Sequence, residues 1–267
     1  MKSVVLSKRL QAVASMVTVG NRVCDVGCDH GFVPIYLVRQ GVSPFVLAMD
    51  VRSGPLSAAR EHIAEHGLDE KIETRMSDGL HNYNIGEADT LICAGMGGRL
   101  MMRILSEDKN KTKSFRELIL QPQSEIEQFR VCLREQGYRI TEENMIEEDG
   151  KFYPVMRLES CGDAGCVDLH EYTAALRGLL KSSDCNPVTD TELCKLIDCY
   201  GPLLLLYKDS TLLRFLKREE RIYEEILDNL QAQGLSDEKR KNRYEEVQIL
   251  LEDCRRALAI VMVNEEA

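Results

Sequence analysis

No part of this chain strings together the ~18 consecutive apolar residues that a membrane-spanning helix requires, so a helical membrane protein is excluded at the outset. Metal-binding spacing is missing too. The pairs Cys24/Cys28 and Cys161/Cys166 are wrongly spaced for a zinc knuckle, and no histidine pair accompanies them, so no metal is expected. Met1-Lys2 leads into an amphipathic segment containing Lys8-Arg9 rather than the apolar core of a secretory leader. With ten cysteines and no leader, the expectation is a cytoplasmic protein with free thiols. Positive charge is not in excess either. The 267 residues carry 34 Lys+Arg against 44 Asp+Glu, a net charge of −10. Residues 1–162 contribute 20 − 23 = −3, and residues 163–267 contribute 14 − 21 = −7. A polycationic nucleic-acid binder is thereby excluded, and an RNA partner would need local patches. Three clusters qualify by composition: Lys109, Lys111, Lys113 and Arg116; Arg214, Lys217, Arg218 and Arg221; Lys239, Arg240, Lys241 and Arg243. Taken alone, each reads as a solvated helix face. Internal repeats and low-complexity tracts are also missing.

What is present, at 44% hydrophobic and 29% charged residues, is the composition of a globular protein with a sizeable core. The first half alternates strand and helix signals, which predicts a parallel, doubly wound α/β sheet. Strands are expected at Val23–Val26, Phe45–Asp50, Lys71–Met76, Thr90–Ala94 and Leu118–Leu120, then an antiparallel pair, Tyr138–Asn144 and Phe152–Glu159, around Glu148-Asp149-Gly150. Helices are expected over 6–18, 34–40, 57–65 and from Gly98 through Leu105, with a basic polar loop at Ser106–Ser114. Ser124 and Glu127, three apart, predict a capping box for a helix over 124–136. Cys161–Gly165 reads as a linker dividing a domain over 1–162 from a helical one over 163–267. There Thr211–Gln231 predicts one long helix, Gly234 its end and Ser236 the cap of the next. Tyr244, Val247, Leu251, Cys254, Leu258 and Val261 form a coiled-coil seam, so an antiparallel hairpin is expected. Pro202–Tyr207 reads as apolar helix or core.

The segment Val23-Cys24-Asp25-Val26-Gly27-Cys28-Asp29-His30-Gly31 is the most informative in the chain. An apolar strand running into a glycine-punctuated turn and then a helix is how nucleotide-type ligands are held, because backbone N–H groups approach closely there. Gly27 and Gly31 are spaced G-x-x-x-G, not as the dinucleotide G-x-G-x-x-G. Asp25, Asp29 and His30 would repel a pyrophosphate. They suit a ligand with a cationic centre, an amine and a ribose, which points to S-adenosyl-L-methionine. Asp50, at the end of the second strand, can accept both ribose hydroxyls through its two oxygens. Asp78-Gly79, after the third strand, can receive an adenine amine. Ala94-Gly95-Met96-Gly97-Gly98, after the fourth, borders the place where a transferred methyl would meet its acceptor.

These residues resemble the bacterial tRNA (adenine-22-N1)-methyltransferases. The shared features are Leu6-Ser7-Lys8-Arg9-Leu10, the turn Asp25 to His30 with Pro34 following, and Gly54-Pro55-Leu56-Ser57-Ala58-Ala59. Asp78–Leu80, Ala94–Gly98, Leu120–Pro122 and Tyr200–Leu203 complete the set. The chain departs from the pattern at Cys28, where Ser or Thr is usual, at Phe32 for Tyr, at Asp50 for Glu and at Gln123 for Asn. The resemblance implies a Rossmann-like class I methyltransferase domain with a C-terminal coiled coil that grips tRNA, methylating N1 of one adenine. The amino-group methyltransferase turn N-P-P-Y is lacking, and Ala94–Gly98 stands in its place. The candidate catalytic residues are Asp29, His30, Gly95 and Met96. The cofactor set is Asp25, Gly27, Cys28, Asp29, His30, Asp50, Val51, Asp78, Gly79, Ala94, Gly95 and Met96. The substrate set is Arg9, Gly97, Gly98 and Arg99. The oligomeric state stays open, with a monomer favoured. So do three alternatives: a methyltransferase for another RNA position or a small molecule, a non-catalytic cofactor-sensing RNA-binding protein, and an NAD-dependent oxidoreductase.

Overall fold

Five parallel strands and one antiparallel hairpin build the sheet of the first unit. The computed structural model describes residues 4–162, 169–180 and 188–262. It divides into two compact units, Met1–Val167 and Asp168–Ala267. In the first, β1 (Val23–Val26), β2 (Val46–Asp50), β3 (Ile72–Met76), β4 (Thr90–Met96), β5 (Glu117–Pro122), β6 (Tyr138–Glu148) and β7 (Lys151–Ser160) form one sheet of order β3-β2-β1-β4-β5-β7-β6. β1 to β5 pair parallel, and β7 joins antiparallel between β5 and β6. Every residue of β1, β2 and β5 is buried, as expected of strands covered on both faces and visible in the sequence as apolar runs. β6 and β7 are only partly covered. Asp149 and Gly150 turn between them with φ of 50° and 70°, the left-handed pair that a tight hairpin needs.

Helices α1 (Lys8–Ser15), α2 (Phe32–Arg39) and α3 (Ser53–Glu65) pack on one face of the sheet through Val13, Ile35, Leu37, Leu56 and Ile63. On the other face lie α4 (Gly98–Glu107), α5 (Lys109–Lys113) and α6 (Ile126–Glu135), with Met101, Ile104, Phe129 and Leu133 facing Leu47 and Met49. Three expectations need correction here. α3 starts four residues before Ser57, because the Asp50 carboxylate accepts from Arg52 N at 2.8 Å and turns the chain into the helix at once. The basic loop contains α5, capped by Asp108, whose side chain accepts from Lys111 N at 3.1 Å. The Ser124/Glu127 capping box does not form. Glu125, at φ 50°, precedes α6, and the Ser124 hydroxyl instead accepts from Gly98 N at 3.3 Å, serving the start of α4.

The second unit is helical: α7 (His170–Leu180), α8 (Asp190–Tyr200), α9 (Pro202–Leu206), α10 (Ser210–Ala232) and α11 (Glu238–Met262). α9 answers the Pro202–Tyr207 reading as helix. α7 and α8 were not anticipated, although Thr189 and Glu192 make a full capping box at the start of α8. The long helices fold back antiparallel. Cys254 Sγ donates to the Leu216 carbonyl at 3.3 Å, and Arg255 bridges Glu220 at 3.0 Å and Glu224 at 2.6 Å. Of the residues read as a seam, Val247, Leu251, Cys254, Leu258 and Val261 are buried and Tyr244 is half-buried. Ala257 and Ile260 are buried as well, off the seam, because the last turns of α11 also pack on α7, α8 and α9. Asp237, not Ser236, caps α11, accepting from Arg240 N at 3.3 Å. Part of the expected linker, 163–165, lies outside the described residues. Among the described residues no helix is long and apolar enough to cross a membrane, and no His/Cys/Asp/Glu group could hold a metal.

Candidate active site

The first four strands end around one cavity of about 560 Å³, at the carboxyl ends where open α/β sheets hold ligands. The turn after β1 forms its floor. Gly27 (φ 79°) and Asp29 (φ 48°) take left-handed conformations, and the amides of Gly27 and Cys28 both donate to the Met49 carbonyl, at 2.8 and 3.0 Å. Gly27 has a second reason to be glycine. A Cβ there would lie 2.5 Å from the Met96 methyl, so the two turns meet at this point.

Four carboxylates line the cavity; Asp29 lies at its exposed edge, and the other three are each held differently. Asp25 is 4% exposed, and burial, aided by the nearby Asp50 charge, raises its pKa to about 7. The same surroundings push the Cys28 thiol far up and keep it unreactive. Asp50 is aimed by backbone: it accepts from Arg52 N at 2.8 Å and Asp29 N at 3.3 Å. The Arg52 guanidinium lies 3.6 Å from Asp50 and 3.7 Å from Asp29 as a countercharge. Asp78 is gripped by Arg103 of α4 at 2.7 and 3.3 Å, and this pairing holds its carboxyl below the usual range. Gly79 packs against Ile104 beside it. His30 lies 3.8 Å from the Asp29 carboxylate, and Val51 is exposed at the edge.

The fourth wall is the turn Ala94-Gly95-Met96, where pairing with β5 is interrupted. Gln121, fully buried at the end of β5, fills the interruption. Its side-chain oxygen accepts from Gly95 N at 3.1 Å and from Arg9 Nη1 at 2.6 Å, while its amide donates to the Pro122 carbonyl at 3.0 Å. Arg9 thus reaches from α1 across to the glycine turn, its guanidinium 5.5 Å from the Tyr153 ring centre. Gln123 N donates to the Met96 carbonyl at 2.9 Å, and its side chain also lines the cavity.

All twelve residues read as cofactor-binding line this cavity, and so does Arg9. Gly97, Gly98 and Arg99 do not. Gly97 precedes α4, Gly98 sits where a Cβ would lie 2.4 Å from the Ser124 carbonyl, and Arg99 points outward to Glu125 at 3.3 Å. Sequence reasoning missed Gln121, Arg52 and Arg103. Gln121 lay inside the recognised Leu120–Pro122 motif, and its burial was the unread signal. Two arginines beside acidic turns carried no periodic signature at all.

The donor set fits a ligand of mixed charge. Two buried like charges, Asp25 and Asp50, favour a cationic group nearby. Asp50 and Asp78 offer acceptors for hydroxyls and an amine. The arginines that line the cavity are engaged by Gln121, Asp29, Asp50 and Asp78, which leaves no basic cluster for a pyrophosphate.

Comparison with known proteins agrees. The family described as "Methyltransferase domain" matches residues 6–156. A Bacillus subtilis protein named tRNA (adenine(22)-N(1))-methyltransferase is 37% identical over 160 residues, 60% of this chain and 67% of that protein. The crystal structure of the B. subtilis tRNA methyltransferase superposes with a TM-score of 0.76 at 30% identity, covering 96% of this chain and all of that one. A Streptococcus pneumoniae structure solved with S-adenosyl-L-methionine superposes at 0.75 with 27% identity, covering 95% of this chain and 100% of that one. The domain match and the identity to the B. subtilis protein together show that the chain belongs to the tRNA (adenine(22)-N(1))-methyltransferase family, within the methyltransferase-domain fold.

Proposed function

We propose that this protein transfers a methyl group from S-adenosyl-L-methionine to N1 of adenine 22 in tRNA. The observation that carries the reading is the convergence of Asp25, Asp50 and Asp78, from three successive strand ends, on the cavity that Gly95 and Met96 border. The substrate follows from the 37% identity to the B. subtilis protein bearing that name.

When bound, the donor supplies an electrophilic methyl on a sulfonium. Asp50 is placed to accept from ribose hydroxyls, Asp78 from the adenine amine, and Asp25 lends negative charge toward the cationic end. Adenine N1 already carries an in-plane lone pair, so the protein needs no activating base for attack. Its task is alignment, which can supply ~7–11 kcal/mol of a barrier. The target base must leave its stack, at about a few kcal/mol. Arg9, fixed by Gln121 beside the Gly95 turn, is placed to meet the incoming nucleotide or its phosphate. Asp29 and His30, at the cavity edge, are the side chains placed to take the N6 proton from the methylated product, with water as the other acceptor. The second unit is assigned to gripping tRNA. Of the basic clusters, Lys111 is spent on the Leu80 and His81 carbonyls, Arg116 on Asp89, and Arg240 on the carbonyls that end α10.

Incubation with labelled donor and unmodified tRNA, followed by nucleotide mapping with mass spectrometry, tests the reading. N1-methyladenine at position 22 is the expected product. Label at another position, or only in small amines or phenols, would reassign the acceptor. Tight binding of S-adenosylhomocysteine with no turnover on any tRNA would make the protein a sensor.

A further inference from the structure

Of the four carboxylates that line the cavity, Asp78 alone, among the described residues, accepts hydrogen bonds from a side chain. Asp50 is fixed by two backbone amides and Asp25 by burial. Asp78 is 54% exposed at its side chain, and among the described residues the hydrogen bonds to its carboxylate come only from Arg103. The backbone of its turn is already anchored, because Gly79 (φ 55°) rests against Ile104. What Arg103 adds is the orientation of the carboxylate itself. It does so from α4, which follows β4, while Asp78 follows β3, three places away in the sheet order. Glu107, one turn further along α4, accepts from the Arg103 Nη1 that also reaches Asp78, at 3.2 Å.

A planar carboxylate offers about four lone-pair directions. A guanidinium fork takes the two at its open end and leaves the flanking two, one of which can receive an amine. We propose that Arg103 is a positioning residue for purine recognition: it locks the Asp78 carboxylate in the orientation that accepts a hydrogen bond from the exocyclic 6-amino group of the donor's adenine. The assignment rests on the cofactor reading above and adds to it a source of selectivity for adenine over purines without that amine. Without the fork, an exposed aspartate at a turn rotates among its rotamers, and ordering it would be charged against binding.

Calorimetric titration of the full chain with S-adenosylhomocysteine, and with its analogue lacking the 6-amino group, tests this. The wild-type protein should prefer the amine-bearing ligand by about tenfold or more, the scale of one hydrogen bond to a charged acceptor. Arg103→Ala should bring S-adenosylhomocysteine down to the level of the analogue while leaving analogue binding unchanged. Arg103→Gln, which keeps the bulk but loses the fork, should do the same and decides the matter if the alanine variant does not fold. A preference that survives in the variants overturns the inference. So do equal losses for both ligands, which would make Arg103 a mere wall, and tighter binding of S-adenosylhomocysteine, which would make it a competitor for Asp78. A wild-type protein that binds both ligands alike overturns this inference alone. One that binds neither overturns the cofactor reading with it.

Discussion

Asp25 carries the clearest consequence at the scale of single residues. Its pKa is about 7 in the folded protein against 3.8 as a free side chain, first because it is buried and then because Asp50 is near. The folded state therefore holds a proton that the unfolded chain releases between those values, and this group makes stability fall as pH rises from about 4 to about 7. Asp25→Asn should abolish that slope: measured by urea unfolding without ligand, the variant should gain on the wild type by more than about 1 kcal/mol between about pH 5 and pH 8. An unchanged difference would mean that Asp25 titrates as an ordinary carboxylate. Glu87 acts in the opposite sense and in a lower window. Held down to about 2 by Arg75, it adds stability above its free value of 4.5 that is lost as pH falls toward 2. Gln121 is the second residue with a sharp prediction. Gln121→Ala strips the Gly95 amide and Arg9 of their shared acceptor, so methyl transfer should slow by about 10- to 100-fold, as for misplaced reacting groups. Binding of S-adenosylhomocysteine should be nearly unaffected. Parallel losses in rate and ligand affinity would place Gln121 in the cofactor site instead.

Elements were legible in the sequence in proportion to how strongly local pattern dictated them. The apolar runs Val23–Val26 and Thr90–Cys93 announced strands because their burial on both faces leaves no polar alternative. Asp149-Gly150 announced its hairpin through turn chemistry alone. Ser124 misled because its hydroxyl is used by a helix distant in sequence, so a locally sound signal was overridden by a tertiary hydrogen bond. Arg103 and Arg52 could not be read, since their partners are set by how turns from different strands meet. Two predictions belong at this scale. Gly98→Ala would set a Cβ 2.4 Å from the Ser124 carbonyl, a backbone atom that cannot swing aside. The expected cost is about 1–3 kcal/mol in denaturant unfolding, and a neutral result would mean that α4 and the chain before α6 separate freely. Arg130 of α6 and Glu143 of β6 form a buried ion pair at 2.8 Å, their side chains 3% and 0% exposed. Arg130→Met would remove the buried guanidinium that neutralises the glutamate, at roughly 3–5 kcal/mol. A loss under about 1 kcal/mol, measured the same way, would show that the pair is replaceable.

For the molecule as a whole, the division into two units separates the proposed donor site from most of the surface proposed to engage RNA. Deleting residues 163–267 should leave S-adenosylhomocysteine affinity intact by calorimetry while lowering tRNA methylation by more than about tenfold, since fewer phosphate contacts remain to hold the polyanion. Normal methylation by the shortened protein would assign the helical unit another role. The overall plan was readable because the acidic turns recur in order along the first half of the chain. The helices α7 and α8, His170–Leu180 and Asp190–Tyr200, were not, because among the described residues no strand lies between or after them as strands do among the helices of the first unit. Their one strong mark was the Thr189 cap.

The grasp of Gln121 on Arg9 also bears on how the protein is made. Every acidic group of the cradle is encoded within the first 78 residues, but the guanidinium at its rim, although translated earlier still, stays untethered until residue 121 has left the ribosome. At roughly 5–20 residues per second, that interval lasts a few seconds. A nascent chain therefore acquires the groups proposed to hold the methyl donor before it fastens the side chain proposed to meet the nucleic acid.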